Sequence, residues 1–212
     1  MKIMKIPQCF MLHVSCFICF FTGCFNEPEP AEKTVPAGAR VYLKEKGLKE
    51  FAPSLASLDA SVVDYLNLDR NELVDVTGVE RLTGLKWLRL NSNKLSSLPD
   101  LSGLVSLRRI YLKDNQFTAV PETLKDLPSL TDIDLSGNPI TEVPEWLARK
   151  QGLENLSFSR TKITRLPADL SAWKGIKTLQ LGDLNLSAEE MARIRAALYD
   201  AKKNPLGPAI VF

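Results

Sequence analysis

The side chains best suited to covalent, redox and acid–base chemistry are confined to the beginning of this chain. Its four cysteines and its single histidine fall within the first 24 residues, and none occurs from Phe25 onward: Cys9, Cys16, Cys19, Cys24 and His13. That placement excludes disulfides, thiolate nucleophiles, cysteine-based zinc sites and histidine-dependent triads from the remaining residues. We therefore expect no catalytic residue, no metal site and no cofactor there, and we predict that the protein is not an enzyme.

The cysteine-rich beginning has the organisation of an export signal. A basic start, MKIMK, precedes an apolar run over Cys9–Phe21 and then the small residues of TGC. This order is typical of a secretory signal peptide, which we predict over residues 1–23. An uncleaved anchor is the alternative. A membrane-spanning helix needs about 20 apolar residues, and residues 6–25 reach that length only by including four poorly suited ones: Pro7, Gln8, His13 and Ser15.

Phe21-Thr22-Gly23-Cys24 resembles the lipobox of bacterial lipoproteins, although Leu, Val or Ile is usual in the place of Phe21. The resemblance implies cleavage before Cys24 and lipidation of that cysteine. Because Phe25 rather than Asp follows, it also implies the outer membrane if the source is a diderm bacterium, with the domain in the periplasm or at the cell surface. Two alternatives remain: a chance cysteine behind an ordinary signal, and a eukaryotic membrane protein acylated at Cys16 or Cys19.

The residues that follow Cys24 suit a spacer. Residues 24–38 are rich in proline and charge and poor in large apolar residues, which is typical of an extended tether. The formal net charge of the whole chain is only +2. Lys2 and Lys5 account for it, so residues 24–212 are neutral. We therefore expect no nucleic-acid partner.

The main part of the chain is an internal repeat. The segments begin at Val62, Leu85, Leu107, Leu130 and Leu153 and read VVDYLNLDRNELVDV, LKWLRLNSNKLSSLP, LRRIYLKDNQFTAVP, LTDIDLSGNPITEVP and LENLSFSRTKITRLP. They resemble the leucine-rich repeat family, whose pattern is LxxLxLxxNxLxxLP, over roughly residues 38–200. The resemblance implies an α/β solenoid, a curved coil with a short parallel sheet on its concave face. It also implies that the family's role is protein–protein interaction.

Each part of the repeat has a physical reading. Leu88 and Leu90, and the matching residues of other copies, alternate inward along short strands. An asparagine recurs at the following turn, where an amide can bond its own coil and the next, so we predict a structural ladder of Asn71, Asn93, Asn115 and Asn138. Apolar residues followed by proline close the core and turn the chain away from the sheet: Leu98, Val120, Val143 and Leu166.

Both ends are predicted to cap the solenoid. Residues 39–62 form a degenerate first coil, in which core places are taken by Val41, Leu43, Leu48 and Phe51, followed by Leu55 and Leu58. Residues 63–186 hold the repeats. Residues 187–212 supply a C-terminal capping helix and tail, with Ser187 and Glu190 as a capping box and Met191, Ile194 and Leu198 on one apolar face. The final AIVF, Ala209–Phe212, is either a last strand or a frayed tail.

The outward strand positions define a graded concave surface. Its first half offers the residue types that dominate interfaces, and its middle offers two acids. We predict that a protein or peptide partner binds there, and that the protein is monomeric. The predicted contacts are Tyr65, Trp87, Arg89, Arg109, Tyr111, Asp132 and Asp134.

Two other interpretations of these residues remain open. The aromatic side chains can pair across strands and stabilise the sheet, and Arg109 can bridge Asp132. The two aspartates also resemble a glycosidase carboxylate pair or part of a calcium site, but no further acid converges on them. The alternative function is a structural spacer of the cell envelope that binds nothing.

Overall fold

The computed structural model describes residues 38–51, 60–199 and 208–212, all within one compact unit, Thr34–Phe212. The predicted signal peptide and Cys24, nearly all of the tether, and core candidates Leu55 and Leu58 lie outside the described residues. No helix among the described residues is long and apolar enough to cross a membrane.

The described residues form eight short strands in one parallel sheet, and each strand pairs with its neighbours in chain order. The strands are β1 (Ala39–Tyr42), β2 (Val63–Asn67), β3 (Trp87–Arg89), β4 (Arg109–Tyr111), β5 (Asp132–Asp134), β6 (Asn155–Ser157), β7 (Thr178–Gln180) and β8 (Ala209–Val211). The connections contain 3-10 helices at Val79–Arg81, Glu122–Leu124 and Ser171–Gly175, and a short helix α1 at Glu145–Arg149. The predicted curved solenoid with a parallel sheet is confirmed.

The core lies between the sheet and these connections. The strand residues predicted to point inward are buried, as are the leucines predicted on the convex side of the connections after β3 and β4: Leu88, Leu90, Ile110, Leu112, Ile133, Leu135, Leu101, Leu104, Leu124 and Leu127. Leu98 was predicted to close the core but is only partly buried. The largest fully buried side chain is Trp173, and its indole N–H donates to the Leu147 carbonyl at 2.9 Å.

Asparagine side chains tie the coils of β2, β3, β4 and β5 each to the coil before it. The Asn115 amide donates to the carbonyls of Leu112 in its own coil and Leu90 in the preceding coil, both at 2.9 Å. Its Oδ1 accepts from the Leu95 N–H at 3.1 Å. Asn71, Asn93 and Asn138 repeat this arrangement. Water cannot reach these buried backbone groups, so each asparagine amide supplies the hydrogen-bond partners that they would otherwise lack.

The ladder stops at Thr161, whose buried hydroxyl has no hydrogen-bond partner among the described residues. A Thr161→Asn variant would place an amide where the spacing brings the Phe158 and Leu135 carbonyls and the Ile140 N–H within reach. We expect this variant to gain about 1 kcal/mol in the free energy of unfolding, measured by urea denaturation. Thr161→Ala is the matched control and should be nearly neutral. An asparagine variant less stable than the alanine variant would contradict the prediction.

The C-terminal cap is a helix, α2 (Ala188–Leu198), followed by β8. Ser187 Oγ accepts from the Glu190 N–H at 3.1 Å, which is half of the predicted capping box. The other half is wrong: the Glu190 carboxylate accepts from the Leu166 N–H at 2.9 Å and pairs with Arg193 at 2.7 Å. The reciprocal bond fails because a buried carboxylate gains more from a cation and an unpaired N–H of the preceding coil. Arg193, aided by the Leu166 N–H, holds the pKa of Glu190 below its ordinary value of 4.5.

Ile194 and Leu198 of α2 are fully buried, and Met191 packs against the core. The alternative left open for the last residues is decided in favour of a strand. β8 pairs in parallel with β7, with Leu181 N–H donating to the Val211 carbonyl at 2.7 Å. The described solenoid therefore ends in a helix followed by one further strand.

Candidate functional site

The strand register lines up the outward side chains in two rows across the concave face. The first row is Arg40, Tyr65, Trp87, Arg109, Asp132, Asn155, Thr178 and Ala209. The second row is Tyr42, Asn67, Arg89, Tyr111, Asp134, Ser157, Gln180 and Val211. All seven predicted contact residues lie in these rows, so the structure brings them together on β2–β5.

Four aromatic rings from β1–β4 form a continuous group, which we call the aromatic stack: Tyr42, Tyr65, Trp87 and Tyr111. Its successive ring centroids are 5.1, 5.1 and 5.9 Å apart, and the last two contacts are edge-on. Such pairs contribute about 0.5–1.5 kcal/mol each beyond the area they bury. The stack is therefore a rigid part of the sheet as well as a surface.

Arginines cover the aromatic stack. The Arg109 guanidinium lies 4.9 Å from the Trp87 ring centroid, and Arg89 lies 5.3 Å from that of Tyr111. Arg40 lies 5.9 Å from the Tyr65 ring. These are cation–π distances. The first half of the concave surface thus alternates aromatic faces with guanidinium planes.

The outward strand position of Trp87 predicts an exposed side chain, but the side chain is half-buried between Tyr65 and Tyr111. Its indole N–H is buried and has no hydrogen-bond partner among the described residues. Burial also raises the pKa of Tyr111, with a smaller contribution from Asp132. The sequence shows which positions face outward, but not how far neighbouring rings cover one another.

The two arginines among the predicted contact residues differ in how tightly they are held by ion pairs. Arg89 holds Asp69 through two nitrogens, both 2.7 Å from Oδ2, and Asp69 is only 5% exposed. Arg109 lies 3.8 Å from Asp132 Oδ2 and its side chain is 46% exposed. Arg89 is therefore fixed by a buried partner, whereas Arg109 is available to a ligand. The bridge between Arg109 and Asp132 exists but is long.

The aspartates of the middle strand are bound within the sheet. Asp132 is buried and accepts hydrogen bonds from Thr131 Oγ1 at 2.6 Å and Asn155 Nδ2 at 2.7 Å. Asp134 Oδ1 accepts from the Ser136 N–H at 2.9 Å. Within the described ranges, no group of three or more His, Cys, Asp or Glu side chains is arranged to hold a metal ion. Asp134 is partly exposed and, among the described residues, has no ion pair.

The far half of the concave face is polar, and its side chains hydrogen-bond one another. Ser136 and Ser157 share a hydrogen bond of 2.6 Å, and Ser157 donates to Gln180 Oε1 at 3.2 Å. It contains no aromatic ring from β5 to β7. The surface is therefore graded in the way that the sequence pattern predicts.

A shallow cleft of about 190 Å³ opens where β1–β4 begin. Its lining is Arg40, Asp64, Tyr65, Lys86, Trp87, Arg108 and Arg109. Sequence reasoning missed four of these residues: Arg40, Asp64, Lys86 and Arg108. The prediction used only the outward positions of β2–β7. It therefore left out Arg40, which lies at such a position in the first, degenerate coil, and the three residues that precede the outward positions. Asp64, Lys86 and Arg108 recur at steps of 22 residues immediately before those positions, and that spacing was the available signal.

Residues 61–140 of the chain match a known protein family. A family model described as "Leucine rich repeat" matches residues 61–117 and 83–140. No curated protein matches the chain. The matched residues hold β2–β5 and all four asparagines of the ladder. Leucine-rich repeat domains are in general scaffolds for protein–protein interaction without enzymatic activity. The match over residues 61–140, the repeat spacing and the parallel sheet together show that this part of the chain consists of leucine-rich repeats.

Proposed function

We propose that this protein is a membrane-anchored binding module that holds a protein or peptide partner on the first half of its concave face. The observation that carries the proposal is the aromatic stack of β1–β4 with its covering arginines. Trp, Tyr and Arg are the residue types that contribute most to binding energy at protein interfaces. Here all three types share one continuous patch.

The patch is prepared for binding because its rings are already fixed. Each ring of the stack contacts a neighbour at 5.1–5.9 Å, so little side-chain freedom remains to be lost on association. Ordering a flexible side chain at an interface costs about 0.5–1.5 kcal/mol. Because these side chains are already ordered in the folded protein, less of the contact energy with the partner is offset by lost conformational entropy.

The properties of the far half of the concave face restrict the proposed binding site to the first half. The serines of the far half and Gln180 bond one another, and the far half offers no aromatic anchor over β5–β7. We therefore place the partner over β1–β4, with Asp134 at the limit of the contact.

Affinity capture in the native host tests this placement. We expect a Trp87→Ala/Arg109→Ala variant to lose a partner that the unaltered protein retains. The matched control is Thr178→Ala/Gln180→Ala, two substitutions in the same rows of β7, which should retain the partner. Thermal unfolding of each variant confirms that it is folded. Equal capture by all three proteins would contradict the proposal, and no specific capture by any of them would favour the spacer function instead.

We further propose export and lipid anchoring through Cys24. The basic start, the apolar run over residues 9–21, the lipobox-like residues 21–24 and the proline-rich tether support this proposal. Cys24 would fix the chain to a bacterial membrane, and to the outer membrane if the source is a diderm. The tether would hold the repeats away from the lipid surface.

We expect Cys24→Ser to move the protein from the membrane fraction to the soluble fraction or to block its processing. Serine cannot form the thioether that carries the lipid. Metabolic labelling with a radioactive fatty acid, followed by fractionation, measures the change. Cys16→Ser/Cys19→Ser is the matched control and should keep the label. Loss of the label in that control, with Cys24→Ser still labelled, would contradict a bacterial lipoprotein and favour acylation within the apolar run.

A further inference from the structure

We infer that the cleft at the start of β1–β4 receives acidic side chains of a polypeptide, so that the partner presents an acidic segment there. This inference rests on the proposed function, because it names the chemistry of the partner at the same surface. Its evidence is the charge of the cleft, the state of each cation and the acids that lie beside it.

The cleft lining carries an excess of positive charge. Four cations, Arg40, Lys86, Arg108 and Arg109, surround a single acid, Asp64. The chain from residue 24 onward is neutral as a whole, so this cluster is a local feature. Opposite charge on a partner both steers its approach and selects it over other proteins.

The four cations of the cleft make either no ion pair or only a long one with the described residues. Arg40 and Arg108 are exposed and make no ion pair with any described residue. Lys86 lies 3.7 Å from Asp64, and Arg109 lies 3.8 Å from Asp132. Charge-assisted hydrogen bonds are about 2.7–2.9 Å long, so both contacts leave donor capacity free. A carboxylate entering the cleft would meet several unpaired N–H donors.

The aromatic stack beside the cleft adds to the preference for an acidic ligand. Arg109 stacks over Trp87, and a stacked guanidinium can still donate within its own plane to a carboxylate. The Trp87 indole N–H, beside the same cleft, has no acceptor among the described residues. An indole N–H can only donate. Asp64 Oδ1 is likewise buried and without a partner among the described residues. The exposed guanidinium groups of the lining still outnumber this single acid, and an acidic ligand supplies acceptors to them.

The size and surroundings of the cleft favour a polypeptide. About 190 Å³ is below the usual range of about 300–1,000 Å³ for small-molecule sites, and it suits a few side chains. Next along the face, Asp134 has no ion pair among the described residues. A uniformly charged polyanion laid along the rows would be repelled there. A polypeptide can place its acids at the cleft and neutral or basic residues over Asp134.

Fluorescence anisotropy with the full chain in detergent tests the inference. The probe is a labelled peptide of four glutamates flanked by glycines, and the comparison probes are the matching lysine peptide and dextran sulfate. We expect the glutamate peptide to bind, with affinity falling as salt rises from about 50 to 500 mM because screening shortens the range of charge interactions. Binding of the lysine peptide should be at least ten-fold weaker.

Two charge-reversal variants locate the binding. Arg40→Glu/Arg108→Glu alters the cleft without breaking an ion pair and should weaken binding of the glutamate peptide at least ten-fold. Arg81→Glu/Lys162→Glu makes the same change in net charge at exposed residues outside the cleft and should bind within two-fold of the unaltered protein. Equal weakening in both variants, full binding by the cleft variant, or no binding of the glutamate peptide would overturn the inference. Tighter binding of dextran sulfate that the cleft variant abolishes would assign the cleft to a polyanion instead.

These outcomes are separate from those of the proposed function. A partner lost on Trp87→Ala/Arg109→Ala but indifferent to Arg40→Glu/Arg108→Glu would leave the binding module intact and remove only its acidic specificity. If neither change affected capture of the partner, the proposed binding site itself would be contradicted.

Discussion

Replacing Asn115 with alanine is expected to lower the free energy of unfolding by about 4 kcal/mol. The substitution removes hydrogen bonds to the Leu90 and Leu112 carbonyls and leaves the Leu95 N–H without its acceptor. Asn115 is 6% exposed, so water cannot replace these bonds. Each buried polar group left unsatisfied costs about 1–3 kcal/mol. Urea denaturation followed by circular dichroism measures the difference.

The neighbouring Gln116→Ala is the matched control for this prediction. Gln116 has a similar amide but is exposed, so we expect a change of less than about 0.5 kcal/mol. If Asn115→Ala were no more destabilising than the control, the amide ladder would not join the coils, and apolar packing alone would hold them together.

Replacing Arg89 with alanine is expected to cost about 3 kcal/mol, because it leaves the Asp69 carboxylate buried without its cation. Removing one partner of a buried ion pair typically costs about 3–5 kcal/mol. We place the cost at the lower end because the Arg89 side chain is 32% exposed. The effect is on folding, so we interpret Arg89 as a positioning residue of the surface rather than as its main contact.

Two further variants check the reason for that cost. Asp69→Asn in the Arg89→Ala background should recover most of the lost stability, because a neutral amide can still accept from the Asn91 N–H that now bonds Asp69 at 2.8 Å. Arg109→Ala should cost less than about 1 kcal/mol, since its contact with Asp132 is long and Asp132 keeps two other hydrogen bonds. Similar losses for the two arginines would contradict the distinction between them.

This distinction changes how the binding surface is tested. A variant that includes Arg89→Ala would lose a partner through weakened folding as readily as through a lost contact. Trp87 and Arg109 are the better probes, because Trp87 carries no charge and the contact of Arg109 with the buried Asp132 is long, at 3.8 Å.

The repeat spacing predicted the fold well, and the physical reason is simple. Copies separated by 22 or 23 residues must repeat the same strand, so the register of Trp87 with Arg109 and Asp132 follows once one strand is placed. Inward leucines and outward polar residues alternate within each strand, which identifies both faces. The C-terminal helix follows in the same way from its own apolar spacing.

The candidate site was less predictable because it depends on side-chain conformations. Pattern places Trp87 outward, but its burial results from rings on both adjacent strands. Glu190 fits a capping box by spacing, yet its carboxylate reaches Leu166 and Arg193. The cleft was missed because it combines positions before the strands with positions inside them. The contact residues themselves stay a prediction until a partner is tested.

The backbone also holds one regular feature that the pattern did not indicate. The coils of β1–β7 each turn after the strand through a residue with positive φ, and in six of them this residue is not glycine: Glu45, Arg70, Ser92, Asp114, Arg160 and Asp183. The glycine of the series is Gly137, where an added Cβ would collide with the Asp114 carboxylate that pairs with Arg160 at 3.0 Å. An uncommon conformation is therefore imposed by the repeat itself.

The measurement that tests the binding account most directly is site-specific photocrosslinking in the native host. A photoreactive phenylalanine would replace Tyr42 in one protein and Tyr199 in another. The two tyrosines are 54% and 56% exposed, but Tyr42 belongs to the aromatic stack and Tyr199 follows α2. We predict a crosslinked partner from position 42 and none from position 199. Crosslinking to a partner from position 199 alone would contradict binding at the first half of the concave face.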